Sequence, residues 1–159
     1  MTTGGVSTER FMNGSIPGKR LFLAAGWGLL AVAALHTVGN WEAITGASSD
    51  PKTQPAVIAM TSVVFEGMGM RFSMIDVVRS LNASFGWLLA MAGVLDLFAV
   101  RLAADKGRAI RELATVSMVG VGAMVVLFAW LQIPPPLLTL AVVWVLFALA
   151  LLAGRAKRA

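Results

Sequence analysis

The 159-residue chain contains no cysteine and no tyrosine, and its only histidine is His36. The absence of cysteine excludes disulfide bonds, thiolate catalysis and cysteine-ligated metals. With one imidazole, a single chain cannot hold a haem between two histidines. Charged residues are also scarce, at 13% against the roughly 25% typical of soluble proteins, whereas 58% of the residues are hydrophobic. This balance indicates a protein whose solvent is lipid.

The net charge of +5 would suit nucleic-acid binding, but the positions of the basic residues argue against such a partner. They flank apolar stretches, where lysine and arginine set the orientation of membrane helices. Three lie on one side of the membrane: Lys52, Arg71 and Arg79. Ten lie on the other side: Arg10, Lys19, Arg20, Arg101, Lys106, Arg108, Arg111, Arg155, Lys157 and Arg158. Since the positive side faces the cytoplasm, we predict a multi-pass protein of the bacterial inner membrane with both termini cytoplasmic.

Four apolar stretches can cross a hydrocarbon core of ~30 Å as helices that rise ~1.5 Å per residue. They cover about residues 21–39, 80–101, 113–133 and 136–154. The predicted fold is therefore all-α, a four-helix transmembrane bundle over residues 19–154. A flexible cytoplasmic tail (1–18) precedes it and a basic cytoplasmic tail (155–159) follows. The first stretch also resembles a signal peptide. We favour an uncleaved helix, because the apolar run continues past the candidate cleavage site at Ala31-Val32-Ala33.

The segments between the spans carry their own signals. Residues 39–55 are polar and rich in turn formers, and are predicted to be a water-facing loop. Residues 56–65 are apolar but too short to cross the membrane, which predicts a short interfacial or re-entrant helix. Residues 66–69 read as a hinge, and residues 101–112 as a charged connector. Prolines 134–136 predict the tight turn before the last span, since proline cannot continue a helix interior.

Polar residues near the outer ends of the first two spans need an explanation, because an ionisable group costs about 2.5–3.5 kcal/mol at the centre of a membrane helix. His36 and Asn40 are four residues apart and share one helix face. Because both spans reach the same side of the membrane here, we expect the polar groups to converge on one pocket. The candidate ligand-binding residues are His36, Asn40, Glu66, Arg71, Asp76, Arg79 and Asn82.

Three interpretations of these residues remain open. In the first, the carboxylates pair with arginines and His36 hydrogen-bonds a carboxylate or the backbone. In the second, the residues rim a cavity that binds an apolar molecule with a polar head. In the third, His36 acts with Asp76 or Glu66 as acid and base, or as a metal triad. No metal is predicted, because the known facial triad uses two histidines.

Asp96 lies one to two turns inside the cytoplasmic end of the second span. We expect it to snorkel or to pair with a nearby arginine: Arg101, Arg108 or Arg111. No second acid lies at a similar depth, so a proton-relay transporter or pump is not predicted. Pairs of small residues also stand in the spans, where they either let helices approach closely or are merely common. These pairs are Ala24 with Gly28, Gly86 with Ala90, and Gly120 with Gly122.

Short motifs run from the end of the first span into the second. They are Leu35-His36-Thr37-Val38-Gly39, Ala59-Met60 through Phe65, Gly69-Met70-Arg71-Phe72-Ser73, Asp76, and Ser80-Leu81-Asn82-Ala83-Ser84-Phe85. In these motifs and in helix count the chain resembles a family of small, uncharacterised four-span bacterial membrane proteins. Family members typically have an aromatic residue beside the aspartate, where this chain has Ile75 and Val77. The resemblance implies the architecture and draws attention to His36, Arg71 and Asp76. It implies no reaction.

We therefore expect a non-enzymatic membrane protein that binds an apolar or lipid-like molecule or serves as an accessory subunit of a membrane complex. The expected partners are membrane lipid, an apolar small molecule, and a membrane-protein partner or a second copy of the chain. No cofactor and no nucleic acid are expected. The alternative is a small membrane enzyme, an isomerase or hydrolase-like protein. It would use His36 with Asp76 or Glu66 at the non-cytoplasmic side.

Overall fold

The computed structural model describes residues 16, 18–45, 50–67 and 69–156. For residues 155 and 156 it describes the backbone alone. Within this part of the chain lie six helices and two strands: α1 (Lys19–Gly39), α2 (Trp41–Thr45), α3 (Gln54–Ser62), β1 (Val64–Gly67), β2 (Met70–Ser73), α4 (Met74–Leu102), α5 (Lys106–Trp130) and α6 (Pro134–Ala156). The four long helices can each cross a membrane, with mean hydropathies of 1.8 to 2.6. The chain is a multi-pass membrane protein, and the predicted four-helix bundle is confirmed.

The predicted tails lie mostly outside the described residues, as do Arg10, Lys157 and Arg158. We call the end of the bundle where α1 begins and α6 finishes the terminal end. The opposite end, where α1 finishes and α4 begins, is the hairpin end. The short connection from α5 to α6, which contains Gln132 with a positive φ of 56°, is also at the hairpin end.

Two connections differ from their sequence-based predictions. The charged segment 101–112 is mostly helical, because α4 continues to Leu102 and α5 begins at Lys106. Asp105 stabilises the start of α5 by accepting the backbone N–H of Arg108 at 2.9 Å. The three prolines do not form the turn themselves but open α6 at Pro134. The first helical turn tolerates proline because its N–H groups have no partner within the helix.

Helix α1 is central, since it packs closely against both α4 and α6, while α5 packs against α6 and approaches α4 more loosely. Phe22 of α1 and Phe147 of α6 are fully buried and meet edge to face, with ring centroids 5.7 Å apart. Leu29 and Leu140 extend this core along the same two helices. The core therefore follows the α1–α6 contact, and its two phenylalanine rings lie toward the terminal end.

Glycines allow α1 and α4 to approach each other. A Cβ atom at Gly93 would lie 2.8 Å from the carbonyl oxygen of Gly26, a distance that real Cβ atoms do not adopt. Of the predicted small residues, Gly28, Gly86 and Gly122 also face a neighbouring helix. A Cβ there would lie 3.0, 2.7 and 2.8 Å from side-chain atoms of Val143, Thr37 and Trp144. Nothing lies within 4 Å of Gly120, so that glycine serves no close contact.

Between α1 and α4 the chain forms two short helices, α2 and α3, and a hairpin. No residue of α3 is buried, so the short helix between the first two spans does not enter the bundle. Strands β1 and β2 pair antiparallel where a hinge was predicted, with Phe65 opposite Phe72 and Glu66 opposite Arg71. The two phenylalanine rings stack with centroids 5.7 Å apart. Gly69, with φ +75°, supplies the left-handed conformation of the tight connection.

Candidate functional site

His36 connects α1 to α4 through its ring nitrogens. Its Nε2 lies 3.1 Å from the backbone carbonyl oxygen of Asn82, and its Nδ1 lies 3.3 Å from Nδ2 of Asn40. Because a carbonyl oxygen only accepts hydrogen bonds, Nε2 carries the proton, and Nδ1 accepts from the Asn40 amide. The same amide nitrogen donates to the His36 carbonyl oxygen at 2.9 Å. Both ring nitrogens are thus engaged within the protein.

The imidazole also belongs to a chain of aromatic contacts. His36 meets Phe85 of α4 edge to face, with centroids 4.7 Å apart, and Phe85 meets Phe128 of α5 in the same manner at 5.7 Å. These contacts connect α1, α4 and α5 near the hairpin end. His36 also borders a cavity of 330 Å³, the histidine cavity, which Asn40, Phe85 and Thr139 line as well.

The carboxylate of Asp76 has hydrogen-bond partners of its own at the start of α4. Its Oδ2 accepts the backbone N–H of Ser73 at 2.9 Å and the Ser73 hydroxyl at 2.6 Å, as the acidic residue of a capping box does. Its Oδ1 lies 3.8 Å from Nη1 of Arg79, one turn along the helix. Glu66 and Arg71 pair across the hairpin at 3.6 Å, and both side chains are about three-quarters exposed. Each carboxylate therefore has a local partner.

The predicted cluster is divided into three groups: His36 with Asn40 and Asn82, Asp76 with Arg79, and Glu66 with Arg71. Among the described residues, hydrogen bonds and ion pairs connect each group internally and do not connect one group to another. Asn82 follows Asp76 by six residues, about 9 Å along a helix axis. In the described part of the chain, no three His, Asp or Glu side chains are placed to hold a metal ion together.

A groove that the sequence did not predict runs between α1 and α4. This lateral groove has a volume of 550 Å³ and extends from Leu30 to α2. Its floor consists of small residues of both helices, and two exposed tryptophans flank it. These residues are Ala33, Thr37, Ala83, Gly86, Trp41 and Trp87. The small residues open the groove because they leave space that larger side chains would fill. These small residues were visible in the sequence, but small residues in membrane helices are equally well explained by close packing of the helices, so they did not indicate a groove.

A third cavity, of 370 Å³, lies at the hairpin end between α2, α3 and the first turns of α4. We call it the arginine cavity, since Arg79 lines it together with Glu42, Gln54 and apolar residues such as Val57 and Ile75. The Arg79 side chain is 32% exposed, but its Nε atom is buried and has no hydrogen-bond partner among the described residues. Of the predicted ligand-binding residues, Arg79 alone lines this cavity, and His36 and Asn40 line the histidine cavity.

Asp96 is buried in the bundle, with 5% of its surface exposed. Its Oδ2 accepts a hydrogen bond of 2.8 Å from the hydroxyl of Ser117 on α5. The predicted snorkelling or arginine pairing is therefore wrong. Arg108 instead pairs with Glu112 one turn further along α5, with Nε and Oε1 2.7 Å apart. Sequence reasoning missed Ser117, because depth in a separate helix cannot be read from hydropathy alone.

In comparisons with models of known protein families, with curated proteins and with solved structures, nothing matches this chain. The basis for a function is therefore the geometry of the lateral groove and of the two cavities.

Proposed function

We propose that this membrane protein binds one apolar chain, such as the acyl chain of a lipid, in the lateral groove, and that its role is binding rather than catalysis. The groove's volume of 550 Å³ falls within the range of about 300–1,000 Å³ that small-molecule sites occupy. Its lining is almost entirely apolar, as an acyl chain requires. The groove between α1 and α4 is the single observation that carries this proposal.

The position and length of the groove support an acyl chain in particular. From Leu30 to Val38 the groove follows α1 for about 12 Å, at ~1.5 Å per residue, and it continues past Trp41 to Ile44. This length is close to half of a hydrocarbon core of ~30 Å, the depth that one lipid chain occupies in one leaflet. Trp41, near the hairpin end of the groove, is 59% exposed and has the position of an interfacial aromatic anchor.

The state of His36 supports binding over catalysis. A general base needs a free ring nitrogen within reach of the proton that it removes. Here Nε2 donates to the Asn82 carbonyl and Nδ1 accepts from Asn40, so the ring connects helices rather than facing a substrate with a free lone pair. Asp76, the partner that the enzyme alternative requires, caps α4 through Ser73. Both groups have structural roles that explain them without a reaction.

For localisation we propose the bacterial inner membrane with both termini in the cytoplasm. Lys19, Arg20, Arg101, Lys106 and Arg108 all belong to the terminal end of the bundle, and cytoplasmic loops carry such an excess of basic residues. In a bacterial host, a fluorescent-protein fusion to the carboxyl terminus should fluoresce, and a periplasmic phosphatase fused there should be inactive. Active phosphatase at that position would overturn the proposed orientation.

The groove is tested by filling it. Ala34 lines it, so Ala34→Phe should occupy the space of the chain, whereas Ala123→Phe places the same ring on the exposed surface of α5. The probe is a dibrominated stearic acid, titrated into detergent-solubilised protein while tryptophan fluorescence is recorded. Trp41 and Trp87 flank the groove, so bound bromine should quench them in a saturable, one-site manner.

We expect Ala34→Phe to weaken this binding by about tenfold or more, which corresponds to the loss of a well-packed apolar contact. Ala123→Phe should bind the probe as the unaltered protein does. Quenching that never saturates, or equal quenching curves for the two variants, would contradict an acyl-chain site in the groove.

A further inference from the structure

We propose that the arginine cavity binds the zwitterionic headgroup of an aminophospholipid, with its phosphate at Arg79 and its ammonium group at Glu42. The cavity is separate from the lateral groove. Helix α2 stands between them, with Trp41 and Ile44 lining the groove and Glu42 and Ala43 lining the arginine cavity. Occupation of one site therefore does not depend on occupation of the other.

The unsatisfied donor of Arg79 supports a phosphate ligand. Its Nε is buried without a hydrogen-bond partner among the described residues, and a buried polar group without a partner is costly. The nearest carboxylate, Asp76, lies 3.8 Å from Nη1 and already accepts two hydrogen bonds from Ser73. Guanidinium groups bind phosphate oxygens through parallel N–H donors. A phosphate in the cavity would meet the exposed part of the Arg79 side chain, and a turn of the guanidinium toward it would give Nε the acceptor that it lacks.

The charges around the cavity favour a headgroup that is neutral overall. Arg79 is already offset by Asp76, and Glu42 adds a further negative charge on the cavity wall. A purely anionic headgroup would place its phosphate in a region whose formal charge is −1. An ammonium group beside Glu42 removes this repulsion, since opposite charges at such short range attract. Among the described residues, Glu42 and Arg79 do not form an ion pair with each other. Glu42 can therefore bind the ammonium group while Arg79 binds the phosphate.

The depth of the cavity favours a lipid over a dissolved ion. Helix α4 has 29 residues, about 43 Å at ~1.5 Å per residue, and so exceeds a hydrocarbon core of ~30 Å. Its apolar stretch begins near Leu81, which is 65% exposed, and Arg79 precedes this point by half a turn. Arg79 therefore lies at the level of the headgroups, and Val57, Met60 and Ile75 give the cavity an apolar wall.

The test titrates the purified full-length protein in detergent with dihexanoyl phosphatidylethanolamine and, separately, with dihexanoyl phosphatidylglycerol and inorganic phosphate. Native mass spectrometry counts the bound molecules and gives their dissociation constants. We expect one tight site for phosphatidylethanolamine, bound about tenfold more tightly than phosphatidylglycerol. Arg79→Gln should weaken phosphatidylethanolamine binding by about tenfold or more, and Glu42→Gln should abolish the preference between the two lipids.

Three further variants keep the result interpretable. Arg79→Lys retains the charge but lacks Nε and the parallel donors, so it should bind phosphatidylethanolamine more weakly than the unaltered protein and more tightly than Arg79→Gln, which separates the charge from the guanidinium geometry. Arg71→Gln removes an exposed arginine outside the cavity, and Ala34→Phe fills only the lateral groove, so neither should change headgroup binding. Equal affinity for both lipids, undiminished binding by Arg79→Gln, or inorganic phosphate competing as well as the lipid would each overturn the proposal.

Discussion

The two halves of the bundle are built differently. In the terminal half, large side chains such as Phe22, Phe147 and Ile110 are almost fully buried, and Val100 joins them from α4. In the hairpin half lie the lateral groove, the histidine cavity and the arginine cavity. The polar groups follow the same division. A single buried carboxylate, Asp96, stands in the terminal half among the described residues, whereas amides, imidazole and guanidinium border the openings of the hairpin half.

This difference indicates a division of tasks. Lipid tails are as apolar as leucine, so helices in a membrane are held together by packing and by interhelical hydrogen bonds rather than by expulsion from water. The terminal half supplies the aromatic part of that packing and the contact between the backbones of α1 and α4 at Gly26 and Gly93. The hairpin half can then remain open, because the helices are already held in place further along. We expect substitutions in the terminal half to affect stability, and those in the hairpin half to affect binding.

The largest effect is expected where Gly93 of α4 lies against the backbone of α1. Gly93→Ala would place a Cβ atom 2.8 Å from the Gly26 carbonyl oxygen, so the backbones must move apart. Overpacking of this kind costs about 1–3 kcal/mol. The matched control is Gly120→Ala, since nothing lies within 4 Å of that Cβ position. There the higher helix propensity of alanine should leave stability unchanged or raise it by up to ~1 kcal/mol.

Thermal unfolding in detergent, followed by circular dichroism, measures both glycine variants. A melting temperature for Gly93→Ala equal to that of Gly120→Ala would show that the close approach does not hold the two helices. The proposed division between a packed half and an open half would then fail at its central contact.

The second prediction concerns the hydrogen bond between Asp96 and Ser117. Ser117→Ala leaves the buried carboxylate without its donor on α5, and interhelical hydrogen bonds in membranes contribute about 0.6 kcal/mol on average and ~1.7 at most. We expect a lower melting temperature, by an amount that corresponds to a loss of stability within that range. Thr115→Ala serves as the control, because its exposed hydroxyl bonds only to Arg111 of its own helix. Equal melting temperatures for the two variants would mean that Asp96 does not join α4 to α5.

The number of spans was predictable from sequence, whereas the connections at both ends of the bundle and the partner of Asp96 were not. Hydropathy identifies a membrane helix because each span must satisfy its own backbone hydrogen bonds. The four predicted spans agree in number with the four helices that can cross a membrane. The hairpin was missed, although Val64, Phe65 and Phe72 are good strand formers and Gly69 supplies the tight connection. A strand of four residues shows too little alternation of side chains to be recognised from sequence. The glycines between the two strands were therefore interpreted as a hinge.

The candidate site could be predicted only as a set of residues. In the structure His36 of α1 bonds the Asn82 carbonyl of α4, and Asn40, just after α1, bonds His36. Topology could not show that Asp76 turns back to Ser73, or that Glu66 and Arg71 pair across a hairpin. Each short-range partner depends on local backbone geometry, which hydropathy and charge counting do not contain. For the same reason the lateral groove, a space between helices, has no signature in either helix alone.

A third, smaller effect is expected at the start of α4. Asp76→Ala removes the acceptor of the Ser73 N–H and hydroxyl, so the first turn of the helix should fray. Amide hydrogen exchange should increase at Ser73 and Met74 with little change in the melting temperature of the bundle. The control is Asp50→Ala, which alters another exposed aspartate with a backbone partner, the N–H of Lys52. Exchange at Ser73 that is equally slow in both variants would argue against capping by Asp76.

The smallest effect is expected at the tip of the hairpin. Glu66 and Arg71 are 3.6 Å apart and about three-quarters exposed, and such surface pairs contribute little because water screens them. The double variant Glu66→Gln with Arg71→Gln should therefore have the same melting temperature as the unaltered protein. It should also bind the dibrominated stearic acid equally well. A loss of stability as large as that of Ser117→Ala would make the hairpin part of the structural core. The open half would then stabilise the bundle as well, and the contrast between the halves would be one of shape alone.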